Sequence, residues 1–196
     1  MKPSKVSRRL GESLSDRRIV TAVRDGFDIT MTDGFVIRLT DDWVVMHALG
    51  DGVYLDDIVI LRLNDVSRVW FRDDDAYHHR AIDGLGEQVA TFDCDASIST
   101  SDLLRAASAR ADIFAVRFEG LAEEPLSIGC LCALRKKAFD MHYLGRDGVW
   151  ANEIERWKYH DVTRMEVGGR YLEALNRFAD RYPYAEPAAE APEKTP

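Results

Sequence analysis

The chain is poor in cysteine and has no long apolar run. Its 196 residues include three cysteines, Cys94, Cys130 and Cys132. An odd, small number without framework spacing excludes a disulfide scaffold and reads as reduced thiols in a cytosol. No stretch approaches the roughly 20 consecutive apolar residues that span a bilayer. The first residues, MKPSKVSRRLGESLSDRRIV, are basic but lack the apolar run of about seven to fifteen that a secretory signal needs. Catalytic signatures are missing as well: there is no G-x-S-x-G, Walker loop, H-E-x-x-H or G-x-G-x-x-G. These absences predict a soluble, cytoplasmic protein and leave an enzyme as the minority reading.

Charge is present but uneven. Residues 1–24 hold seven Lys or Arg against Glu12 and Asp16, a net +5, so the chain total of −8 leaves −13 for residues 25–196. An acidic body repels phosphate backbones, which argues against nucleic acid as a partner outside the N-terminal arm. That arm, residues 1–18, reads as a basic, flexible segment. Residues 183–196, rich in Pro, Ala and Glu, read as a disordered tail.

The most informative feature is a repeated phrase. MHALGDGVY (46–54) returns as MHYLGRDGVW (141–150), and NDVSRV (64–69) returns as HDVTRM (160–165). Upstream, Ala22-Val23-Arg24 matches Ala115-Val116-Arg117, with Phe118 read as an insertion before Glu119-Gly120. Matches in one order predict a tandem duplication, with units over 19–83 and 112–182. Turn signals divide unit one into strands near 19–24, 35–40, 43–49, 53–63 and 67–72, with Asp51-Gly52 as a tight hairpin and Asp65-Val66-Ser67 as a 3₁₀ turn. The connector, 84–111, contains a helix over 101–110 capped by Ser101 or Thr100. A second amphipathic helix is expected over 171–180, with a weaker counterpart at 73–85.

Five short strands with a 3₁₀ turn before the last resemble an SH3-like or Sm-like small barrel. The resemblance implies a mainly β fold with a few helices: two tandem five-stranded barrels joined by a helical connector. It is architectural and carries no function with it.

Strand alternation puts Met46 and Met141 inside each barrel and His47 and His142 outside. Each histidine then reads as structural or interfacial, because catalysis needs positioned partners. Cys130 and Cys132 align with Phe35 and Ile37 and read as small core residues rather than metal ligands; no metal or cofactor is expected. Asp73–Asp75 beside His78 and His79 reads as a solvated turn. The repeated pairs Asp65/Asp161 and Arg68/Arg164 read as a turn cap and an arginine that faces solvent or pairs with it. Unit one carries Trp43, Val45, His47, Leu49, Ile58 and Ile60 on its outer face, where unit two is more polar. A bare apolar patch of that size predicts an interface, within the chain or between chains. The preferred function is therefore a non-catalytic protein-interaction module, binding an unknown protein or a second copy through unit one. The alternatives are an Sm-like nucleic-acid binder using the basic arm and a metal- or histidine-dependent enzyme.

Overall fold

The computed structural model describes residues 4–27, 31–121 and 126–184. In chain order the elements are α1 (Lys5–Asp16), β1 (Ile19–Val23), β2 (Thr32–Leu39), β3 (Trp43–Gly50), β4 (Tyr54–Arg62), a 3₁₀ turn (Leu63–Asp65), β5 (Arg68–Phe71) and α2 (Asp75–Leu85). The second half follows the same order: α3 (Thr100–Arg110), β6 (Phe114–Arg117), β7 (Leu126–Leu134), β8 (Ala138–Leu144), β9 (Trp150–Lys158), a 3₁₀ turn (Tyr159–Asp161), β10 (Arg164–Val167) and α4 (Gly169–Phe178). None of the described helices is long and apolar enough to cross a membrane.

Local chemistry accounts for most of these elements. Ser4 starts α1 by accepting the Ser7 N–H at 3.1 Å, and Ser99 starts α3 by accepting the Asp102 N–H at 3.2 Å. The cap of α3 thus lies just before the expected Thr100 or Ser101. At the hairpin, Asp51 and Gly52 both have positive φ (44° and 86°), as a tight primed turn requires. The 3₁₀ turns fall two residues earlier than predicted. They end on Asp65 and Asp161, and neither carries a side-chain cap.

The expected flexible arm is mostly helix. Leu10 and Ser13 of α1 are fully buried, and the Ser13 hydroxyl donates to Arg18 O at 2.6 Å and accepts the Val36 N–H at 3.3 Å. Two of the arm's cations dock onto β5: Arg9 donates to the Val69 carbonyl, and the Arg18 guanidinium lies 3.7 Å over the Phe71 ring. At the other end, the expected tail falls outside the described residues beyond Tyr184.

Where the sequence predicts two separate barrels, the strands form one antiparallel sheet of ten, in the order β5-β1-β2-β3-β4-β10-β6-β7-β8-β9. Each half has the same internal order. The bulges also recur, at Val36/Arg38 and Leu131/Ala133, and at His47/Leu49 and His142/Leu144. The register corrects the upstream match by one residue. Val20 pairs with Gly34 and Phe114 with Gly129, which places Ala22 with Val116, Arg24 with Phe118 and Asp25 with Glu119. No insertion is needed.

The halves meet where β4 pairs with β10, with Leu61 opposite Arg164, Ile60 opposite Met165 and Ile58 opposite Val167. Cross-strand partners share a face, so the outer face of half one continues into the inner face of half two. That explains the apolar outer face. Trp43, Val45, Ile58 and Ile60 are buried with Phe114, Val116, Phe139, Met141, Met165 and Val167, under Leu103, Leu104 and Ala107 of α3. A separate cluster of Val20, Val36, Val44, Met46, Val59 and Leu61 fills half one beneath Leu10 of α1. The predicted docking face of unit one is therefore covered from within the chain. His47 is buried there too, and Leu49 is half-buried against Ile19, Phe35 and Ile82.

Polar contacts close both ends of the joint. At one end Arg24 Nη2 meets Glu119 Oε1 at 2.6 Å, with side chains 1% and 8% exposed, and Thr163 bonds Glu119 as well. Arg62 donates to the carbonyls of His160 (2.7 Å) and Val162. At the other end the Arg170 N–H donates to Asp56 Oδ1 at 2.8 Å, while Arg117 and Arg164 flank Glu166 at 2.8 and 2.7 Å. Burial, reinforced by the nearby Glu166 carboxylate, pushes Asp57 up to about 6 from 3.8.

Two outcomes follow from this joint. Arg24→Met strands a buried carboxylate and should cost about 3–5 kcal/mol in urea unfolding, most of it recovered when Glu119→Leu is added. The fold prefers protonated Asp57, so its contribution is fully present below pH ~4 and is lost as pH rises through about 6. Asp57→Asn should therefore stabilise the protein at pH 7.5 by ~2 kcal/mol and flatten its stability between pH 4 and 7, as read by urea midpoints across that range.

Candidate functional site

The repeated Met-His strand provides an internal comparison. Both histidines lie on the face opposite the methionine, as alternation requires, yet both are buried rather than exposed. A glycine on the neighbouring strand accommodates each. A Cβ on Gly34 would lie 2.3 Å from the His47 carbonyl oxygen, and one on Gly129 1.8 Å from that of His142. Only glycine permits this approach.

The two rings have different partners. His47 Nδ1 accepts the Ala90 N–H at 2.9 Å from the segment that leaves α2, and burial lowers the pKa of its ring. His142 Nε2 lies 2.6 Å from the Ala151 carbonyl, which can only accept, so Nε2 carries the proton. Its Nδ1 is buried and has no hydrogen-bond partner among the described residues. The segment leaving α4 lays rings over it instead: Tyr182 and Tyr184 stand 5.6 and 5.4 Å away, and Trp150 5.2 Å away. That segment is anchored by Trp150 Nε1–H to Asp180 O (2.9 Å) and by Asp180 N–H to Gly148 O (2.8 Å).

Beside these rings lies a cleft of about 570 Å³, walled by Ile113, Cys130, Leu131, Trp150, Asn176 and Tyr182. It exists because small residues stand where half one has large ones. Phe35 pairs with His47, and Cys130 with His142. Phe35 is buried against Ile82 of α2, whereas Cys130 is only half-buried and Cys132 is exposed, contrary to the core reading of both thiols. Tyr182 Oη rests 3.7 Å from Cys132 Sγ. Burial pushes the Cys130 thiol up to about 11, which disqualifies it as a thiolate nucleophile near neutral pH.

The other face residues of half two form a basic rim. Arg135, Lys136 and Lys137 make the exposed β7–β8 turn, and Arg156 and Lys158 project from β9. Asp140 is the acid at their centre, 2.8 Å from Arg135 Nε and 2.7 Å from Arg156 Nε. These two guanidiniums hold its carboxyl far below the usual range. Its cross-strand partner Arg156 places the rim on the same face as His142 and Cys130. Sequence reading missed this rim because its cations come from two segments that only the pairing of β8 with β9 brings together.

The remaining predicted sites are occupied structurally. Arg68 pairs with the exposed Asp25, not with Asp65, while Asp65 is half-buried, its carboxyl raised by burial. Arg164 pairs with Glu166, and Asp161 lies 3.2 Å from the exposed His160. Asp74 is bound by Arg72 and Asp75 accepts the Ile19 N–H at 2.8 Å. His78 bridges Asp74 O and Gly52 O at 3.0 and 2.8 Å. Among the described residues no cluster of three or more His, Cys, Asp or Glu is placed to hold a metal ion. No family model, curated protein or solved structure matches the chain.

Thiol chemistry tests this geometry. With a colorimetric disulfide reagent at pH 8, Cys132 should label first and Cys130 more than tenfold more slowly, read by peptide mapping. Cys132→Ser should remove the fast phase.

Proposed function

We propose that the protein is a non-catalytic interaction module, and that its docking surface is the outer face of half two, centred on the basic rim, for an acidic protein segment. The observation that carries this reading is the rim itself: two arginines on one carboxylate, with the exposed Lys136, Lys137 and Lys158 on the adjoining turn and strand, on a chain of net charge −8. The rim flanks β9, a strand with no neighbour on its far side among the described residues. An extended peptide can pair with such an edge, and carboxylates on alternate residues would meet Arg156 and Lys158. Half one is poorly suited to this role because its apolar face is spent on the joint. The shared strand order, the recurring bulges and a register that matches up to the β3–β4 and β8–β9 turns support descent from one duplicated SH3-like or Sm-like barrel unit. The free cysteines suit work in the cytosol.

Nucleic acid is the second reading, because the same cations attract phosphates. The two separate by titration of a fluorescent glutamate-rich dodecapeptide and a single-stranded dodecanucleotide at two salt concentrations. The expected result is salt-sensitive peptide binding that Arg156→Glu with Lys158→Glu weakens at least tenfold, with the oligonucleotide weaker throughout. Tighter binding of the oligonucleotide would favour the second reading, and peptide binding unaffected by the double variant would remove the rim from the function.

A further inference from the structure

We propose that the cleft beside His142 binds a small planar heteroaromatic molecule carrying N–H donors along one edge, either uncharged or cationic. The starting point is an acceptor without a donor among the described residues. Because Nε2–H of His142 is spent on the Ala151 carbonyl, the tautomer with its proton there offers a lone pair at Nδ1. A buried acceptor left unmatched is costly, and few native groups are left so.

Half one shows what completes such a position. There Phe35 fills the space beside the histidine, and a backbone N–H from Ala90 satisfies Nδ1. Among the described residues half two has neither. Cys130 in place of Phe35 leaves the cleft, and the covering segment contributes rings instead of a backbone donor. The missing parts, a flat apolar body and an N–H, are the two properties assigned to the ligand.

The walls narrow its chemistry. Cys130 is the cross-strand partner of His142, and Trp150 and Tyr182 touch both that ring and the cleft. Aromatic walls favour a planar body. Asp112 and Asp180 line the cleft against the single cation Arg181, which disfavours an anion. A volume near 570 Å³ lies in the range of small-molecule sites. His142 is fully buried and does not itself line the cleft. Tyr182, which packs on the rings of His142 and Trp150 and makes only a weak polar contact to sulfur, swings aside for a ligand to reach Nδ1.

The probe is 2-aminobenzimidazole, which is flat and rich in N–H; 2-methylbenzoxazole has a similar shape and no N–H. Calorimetric titration should show binding of the first at least tenfold tighter than the second, and ¹⁵N spectra should show the His142 Nδ1 signal moving on saturation. His142→Phe should weaken the probe at least tenfold. Because that buried substitution can disturb folding, Cys130→Phe provides the second variant: half one already accepts Phe there, so the melting temperature should hold while binding disappears. Equal affinity for both compounds, an unmoved Nδ1 signal, undiminished binding to Cys130→Phe, or no binding at all would each overturn the proposal. In the last case a solvent-filled cleft is what remains.

Discussion

The pairing of β4 with β10 is the constraint on which the rest of the molecule depends. Ile60 lies opposite Met165 and Ile58 opposite Val167, so side chains that face outward in half one face inward in half two. A shift of one residue in this register would exchange the two faces and expose a row of apolar side chains. The joint therefore fixes the relative placement of the halves by hydrophobic burial, which is strong and non-directional. The Arg24–Glu119 pair adds direction, because a buried charge is tolerated only where its partner stands.

The free edges of the sheet do not reproduce this joint. Where β4 offers Val59 and Ile60, β9 offers Glu155 and Arg156, and where half one has Arg24, half two has Phe118 stacked on Trp157 at 4.1 Å. At the opposite edge the Val69 carbonyl is taken by Arg9. Charges and capped carbonyls are the usual means of keeping an edge strand from pairing indiscriminately. Similar units thus serve different ends: half one is consumed by packing, and half two keeps an outer face with a cleft and a rim. The divergence is one of volume and charge, Phe35 against Cys130 and Val45 against Asp140, on a shared backbone pattern.

Much of the fold was legible in the sequence, for local reasons. The positive-φ turn at Asp51-Gly52, the Met-His alternation and the amphipathic spacing of α3 and α4 are short-range signals, and the corresponding elements lie close to their expected limits. The helix α1 was misread as a flexible arm because its charge dominates its composition, while Leu10 and Ser13 gain their meaning only against β2 and β5. The upstream match slipped by one residue because Ala-Val-Arg recurs by letter, whereas hydrogen-bond register places Arg24 with Phe118.

The sequence by itself determined where strands and turns fall along each half and the need to cover the apolar face of half one, since periodicity and turn chemistry act within a few residues. Only the tertiary structure decided that half two supplies that cover, that ten strands make one sheet, and that Arg135 and Arg156 meet on Asp140. It alone left His142 with a nitrogen unmatched among the described residues, near a cleft. These are consequences of strand pairing between segments far apart in the chain. Such pairings depend on register and side-chain volume at the contact, which no local pattern encodes.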